Sequence, residues 1–260
     1  MSDTDTDTGA ATEPETGVHA AKSDPSGGEA SGARVAAVCL GVKVPASDFL
    51  TETRIERINA ARYEGQEIAG ALHVVRETDR VLEVGAGLGV VGAVIALNAR
   101  PQKLLSFEAN PELIPVITAL HEMNGLVGRI EVRNQVLWAG ADRPDTLAFH
   151  LRTSFLGSSV LNEGGRPSRV VQVPTADLAE VIDGFQPTVL VMDIEGGELA
   201  LLDAMDLSSF RAIVMEFHPD AYEVAGMRRC KAILRKAGFA KVEKVSTRTV
   251  WTCVREDAEG

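Results

Sequence analysis

The run Val81-Leu82-Glu83-Val84 leads straight into the turn Gly85-Ala86-Gly87-Leu88-Gly89, and an apolar helical pattern follows. Glycines at this spacing let the chain reverse tightly and let a ligand approach the main chain. The helix behind them offers free N–H groups and the positive end of its dipole. Glu108 stands nineteen residues beyond Gly89, at the end of the next strand pattern. A carboxylate there can accept both hydroxyls of a ribose. Turn and acid together indicate a cofactor that contains adenosine.

Which adenosine cofactor is a separate question. Gly87-Leu88-Gly89-Val90-Val91-Gly92 also fits the dinucleotide fingerprint, with Glu108 at the distance that fingerprint requires. Two features favour a sulfonium, S-adenosylmethionine. Glu83 can bond an amino group and would repel a pyrophosphate. The chain also ends in two short β patterns, Val242 to Val245 and Thr247 to Val254, which are too close to be joined by a crossover and must pair antiparallel. An NAD(P)-dependent oxidoreductase is the alternative. A non-catalytic cofactor-binding α/β module is the second.

A further set of reactive residues lies in the second half. Asp193-Ile194-Glu195-Gly196-Gly197-Glu198 follows a buried strand pattern, and Glu216-Phe217-His218-Pro219 follows the next. Ligands bind outside the carboxyl ends of parallel strands, so both segments should face one crevice. A hydroxyl is a poor nucleophile and needs a base or a metal. Asp193 is the first candidate to position or deprotonate an acceptor, with capping of the following helix as its alternative role. His218 has a suitable pKa range for a base, and Glu216 stands beside it in sequence. Glu195 can be a second acceptor contact, and Glu198 can cap the helix start. Asp193, Glu195, Glu216 and His218 carry donors that suit a divalent cation, but their spacing is not diagnostic, and no metal is expected.

The elements that must carry these residues alternate. Val35 to Val44 reads as a strand or hairpin entry. Thr51 to Val75 reads as helix, with Leu50, Ile55, Ile58, Ile68 and Leu72 as its buried stripe. Strands are expected at Arg80 to Val84, Lys103 to Phe107, Ile130 to Leu137, Thr188 to Met192 and Ala212 to Glu216. Helices are expected at Gly89 to Asn98, Pro111 to Asn124, Ala176 to Ile182, Gly197 to Met205 and Pro219 to Ala237. Leu147 to Pro174 reads as a β hairpin with a long loop at Asn162 to Pro167. The alternation implies an α/β fold, a doubly wound, mostly parallel sheet of Rossmann-like type that ends in an antiparallel hairpin. That ending is the topology of a class I methyltransferase.

Composition sets the limits. The net charge of −11 disfavours nucleic acid as the partner. No apolar run is long enough to span a membrane. Three scattered cysteines, Cys39, Cys230 and Cys253, read as buried reduced thiols of a cytoplasmic protein. Residues 1–33 hold seven acids against one lysine and almost no large apolar residue, so they read as a disordered acidic tail without a secretory h-region. Residues 34–255 then form the catalytic domain with a strand and helix extension at its start, and 256–260 a short acidic tail.

Tyr63-Glu64, Phe107-Glu108-Ala109-Asn110-Pro111, Asn124, Val173-Pro174-Thr175, the Asp193 motif and Glu216-Phe217-His218-Pro219 together resemble the FkbM-type methyltransferase family over roughly Tyr63 to Pro219. The chain departs from that family's usual pattern at Glu83 (usually Asp), Gly87 (usually Asn) and Val191 (often Lys). The resemblance implies O-methylation of a small hydroxylated molecule, often a sugar or secondary metabolite. It implies that Glu64 bonds the methionine end of the cofactor and adds Asn110 to the cofactor residues Glu83, Gly85, Gly87, Gly89 and Glu108. Trp138, after the Ile130 to Leu137 pattern, reads either as an adenine neighbour or as a core aromatic.

Overall fold

A computed structural model describes residues 34–151 and 169–256. The acidic tail, the Asn162 to Pro167 loop and the last four residues lie outside the described residues. A hairpin of β1 (Val35–Cys39) and β2 (Val42–Pro45) opens the chain. Then come α1 (Glu52–Asn59), α2 (Gly65–Val74), β3 (Arg80–Val84), α3 (Val90–Asn98), β4 (Lys103–Phe107), α4 (Ile114–Met123), β5 (Ile130–Arg133) and β6 (Val136–Trp138). The second half runs β7 (Thr146–Leu151), β8 (Arg169–Asp177), α5 (Leu178–Phe185), β9 (Val189–Met192), α6 (Glu198–Ala204), β10 (Ala212–Glu216), α7 (Pro219–Lys236), β11 (Phe239–Lys241) and β12 (Val250–Arg255).

Seven strands form the main sheet in the order β11-β12-β10-β9-β3-β4-β5. β3, β4, β5, β9 and β10 are parallel, and β12 runs antiparallel between β10 and β11. The order reverses between β3 and β9, the switch point where α/β sheets bind ligands. Val81, Leu104, Val189, Val191 and Val214 pack beneath α2, α3 and α4. Leu82, Val84, Leu105, Phe107, Leu190 and Met215 face the opposite way, towards α5, α6 and α7. Both faces are covered, as the near-continuous apolar strands require. Cys39, Cys230 and Cys253 are buried and unpaired. Among the described residues no helix is long and apolar enough to cross a membrane.

Three expectations need correction. The helix over 51–75 is two helices, because Ala61 and Glu64 adopt left-handed backbone, φ +50° and +47°, and turn the chain between them. The strand over 130–137 is likewise two. β5 closes the main sheet, while β6 joins a separate three-stranded sheet, β6-β8-β7. The first closing strand is Phe239–Lys241, immediately after the helix-ending Gly238 at φ +83°. Val242 to Val245 holds a short 3-10 turn instead, at Glu243–Val245. The antiparallel pairing with the last strand is as expected.

Candidate active site

The glycine turn sits between the ends of three strands. Gly85 and Ala86 donate to the carbonyl of Phe107 at 2.9 and 3.1 Å, and Asp193 donates its N–H to the carbonyl of Val84 at 3.0 Å. A Cβ on Gly85 would land on the carbonyl oxygen of Asp193, and Gly85 has φ +91°. This close approach explains why the turn begins with glycine. Gly87, at φ +56°, lies beside the Tyr63 hydroxyl and the Glu64 carboxyl. Gly89 packs on Ile117 and precedes α3, so it starts the helix and does not face the cavity described next.

A cavity of about 400 Å³ opens at this point, within the range of small-molecule sites. Gly85, Gly87, Glu108, Asn110 and Glu64 line one part; Asp193, Glu195 and the Gly196-Gly197 turn line another. Val136, Leu147 and Phe149 from the second sheet, with Trp138, supply an apolar wall. Among the described residues every ionisable side chain on the lining, Glu64, Glu108, Asp193 and Glu195, is acidic.

Both oxygens of Glu108 accept backbone N–H groups at 2.7 Å, one from Gly87 and one from Asn110. The acid at the end of β4 is thereby locked to the glycine turn at the end of β3. Burial raises its pKa to about 7 against the pull of those N–H groups. Asn134 ties the same corner by donating to the carbonyls of Glu108 and Ala109, at 2.8 and 3.1 Å. Asn110 is buried and also accepts from the Glu112 N–H at 2.9 Å. Trp138 stands on the cavity wall, and its buried Nε1 has no hydrogen-bond partner.

Glu83 is not where a cofactor contact requires it. Side chains alternate along a strand. Val84 therefore faces the cavity, while Glu83 points to the opposite face, beneath α3. There it is 2% exposed and holds the Ser106 hydroxyl and the Gly92 N–H. Burial, opposed by those two donors, raises its pKa to about 7. Glu83 braces the turn from behind and does not line the cavity.

Across the crevice the expected residues converge. His218 Nε2 lies 3.5 Å from Asp193 and 4.0 Å from Glu195. His218 Nδ1 bonds the carboxylate of Glu198, which is fully buried at the first residue of α6. Glu198 thus holds the imidazole, beyond any part it takes at the helix start. Burial would lower the His218 pKa, but Glu198, then Asp193 and Glu195, push it up to about 9. Asp193 is raised well above the carboxylate range by burial and by Glu216, with His218 opposing. Glu216 and His218 stand behind Asp193 and do not themselves line the cavity.

Two residues of this cluster are absent from the sequence reading in these roles. Glu67, 5% exposed on α2, sets its carboxyl against that of Glu216; burial first, then Glu216, raises its pKa to about 7. Its signal was available, since Glu67 lies three residues beyond Glu64, in the first turn of α2. Tyr63 lies buried beside Glu64 and the turn. Glu64 itself is raised by burial and by Asp193, so the two sides of the crevice are in electrostatic contact.

A family model described as the Methyltransferase FkbM domain matches residues 73–241, well over half of the chain. The chain belongs to the FkbM methyltransferase family. Its seven-stranded, mostly parallel sheet is Rossmann-like. A precorrin-6y C5,15-methyltransferase from Geobacter metallireducens is 12% identical, with 81% of this chain and 93% of that one covered and a TM-score of 0.44. The Bacillus subtilis tRNA m1A22 methyltransferase is 12% identical over 74% of this chain and 66% of its own, with a TM-score of 0.42. A TYW2 of Pyrococcus horikoshii, solved with MeSAdo, is 12% identical over 82% and 66%, with a TM-score of 0.42. A comparison with curated proteins finds no match.

Proposed function

We propose that this FkbM-family chain transfers a methyl group from S-adenosylmethionine to a hydroxyl of a small molecule. The observation that carries the cofactor half is the charge of the cavity. Glu64, Glu108, Asp193 and Glu195 line it, and no lysine or arginine does so among the described residues. S-adenosylmethionine brings a sulfonium and an ammonium to such a lining. The sulfonium and ammonium favour the ionised form of these carboxyls, whereas a pyrophosphate brings two negative charges that no cationic side chain of the described lining offsets. The preference therefore rests on Glu64 and Asp193, and not on Glu83.

Glu108 suits the ribose, because each carboxylate oxygen keeps a lone pair beyond the one given to Gly87 or Asn110. Glu64 suits the ammonium. Asp193 borders the cavity with His218 directly behind it, so a hydroxyl placed against Asp193 meets a carboxyl whose burial-raised proton affinity suits it, once ionised, to accept the proton, with the His218 imidazole opposing its charge. The neutral thioether is a good leaving group, and alignment of oxygen, methyl carbon and sulfur supplies much of the rate. The apolar wall of Leu147, Phe149 and Val136 fits an acceptor with an apolar body, and the acidic lining favours a neutral or cationic molecule over nucleic acid.

Calorimetric titration with S-adenosylhomocysteine and with NAD tests the cofactor, and binding of NAD alone overturns it. Transfer is tested by thioether release with hydroxylated acceptors, comparing wild type with Asp193→Ala. Retained cofactor binding with lost transfer is expected; full transfer by the variant removes Asp193 from the acceptor side.

A further inference from the structure

We propose that Asp193, Glu216 and His218 form a divalent-cation site at the acceptor end of the cavity, with the buried Glu67 carboxyl beside Glu216. The three side chains end strands β9 and β10 and each offers one ligand atom, all within 4.8 Å of one another. Donors bound to one ion at about 2.1 Å sit roughly 3 to 4.3 Å apart. The observed spread is close to that range.

Two further observations point to an ion. The first is the imidazole. Glu198 is fully buried and fixes Nδ1, so Nε2 is turned towards Asp193. A carboxylate behind a histidine that faces more carboxylates is the usual support of a metal-bound imidazole. The second is Glu67, on a different element. Its carboxyl is buried, aimed into the cluster and set acceptor to acceptor against Glu216; its own backbone N–H is the donor acting on it. A buried carboxyl set against a second, half-buried one favours a shared proton or a cation between them.

Two carboxylates and one imidazole, without thiolate, match a borderline-hard ion such as Mn²⁺. Three protein donors leave open positions on a six-coordinate ion, and Asp193 places the site at the cavity edge. The role of the ion rests on the hydroxyl-transfer reading; its binding does not. In that role the acceptor oxygen joins the ion, which lowers the hydroxyl pKa. The proton passes to Glu195 or water, the oxygen lone pair forms the new bond to the methyl carbon, and the C–S pair returns to sulfur.

The test uses the full chain, stripped by chelator and titrated with Mn²⁺ under calorimetry and electron paramagnetic resonance, beside titration with S-adenosylhomocysteine. Expected is one Mn²⁺ per chain, bound about tenfold or more weakly in both Glu216→Gln and Glu67→Gln, with S-adenosylhomocysteine affinity retained in both. Absence of Mn²⁺ binding at about 1 mM assigns the Glu67–Glu216 contact to a shared proton and overturns the proposal. Binding unchanged in both variants overturns it as well. Mn²⁺ binding without S-adenosylhomocysteine binding would remove the methyl-transfer reading and leave the ion site standing; the reverse pattern would do the opposite.

Discussion

The space a side chain on Gly85 would fill is occupied by the carbonyl oxygen of Asp193. The first residue of the cofactor turn and the first residue of the acceptor motif are thus in backbone contact, although they lie far apart in sequence. Gly85→Ala should force the β3 and β9 ends apart. Positive φ and overpacking together cost about 3 kcal/mol, which lowers Tm by roughly 6 to 12 °C in a domain of this size. Thermal unfolding checks it; an unchanged Tm would show that the two strand ends yield freely.

Glu108 spends one lone pair of each oxygen on a backbone N–H, from Gly87 and Asn110. Glu108→Gln replaces one acceptor by an NH₂ group that must face one of those N–H groups. Loss of charge and of one acceptor should weaken S-adenosylhomocysteine binding by about tenfold to a hundredfold. Calorimetry measures this directly, and an unchanged affinity would place the ribose elsewhere.

Glu198 sets the charge of His218. With its carboxylate present the imidazole titrates at about 9. Glu198→Gln keeps an oxygen to accept from Nδ1 and removes the negative charge. The His218 titration, followed by NMR in the metal-free chain, should then move down towards its ordinary 6.5. A titration that stays near 9 would assign the shift to Asp193 and Glu195.

Stability of the ligand-free protein should fall as pH rises. Glu67, Glu83 and Glu108 titrate at about 7 in the fold against 4.5 when unfolded. The folded chain therefore holds more protons between those values and loses stability as pH climbs through them. His218, raised to about 9 from 6.5, continues the trend, with its contribution present below 6.5 and lost through 9. His121, lowered to about 4 by burial, opposes it between 4 and 6.5, but as one group against three. Thermal midpoints from pH 5 to 9 should decrease; a rise from 5 to 7 would refute the balance.

Much of this was legible in the sequence where one local rule decides. Arg80–Val84, Lys103–Phe107 and Ala212–Glu216 are short apolar runs with clear ends, and the structure gives the same bounds. Asp193, Glu195, Glu216 and His218 converge because they sit at the carboxyl ends of adjacent parallel strands. Side-chain direction was harder. Glu83 shares strand parity with Val81, which is buried under α3, so its aim away from the cavity follows from alternation once the buried face is known. Long-range partners were not legible. Nothing near Glu198 in sequence indicates an imidazole twenty residues on, and nothing near Val136 indicates that it leaves one sheet for another.

The wall formed by Val136, Leu147 and Phe149 belongs to the sheet β6-β8-β7, outside the seven-stranded sheet that holds the glycine turn and the acid cluster. Hairpins of this kind absorb insertions and exchanges at little cost to the scaffold beneath them. On the proposed function, acceptor preference and methyl-donor chemistry become separable traits in this architecture. Divergence, or deliberate grafting, of the β7–β8 hairpin can retune what is methylated while the transfer machinery is inherited intact.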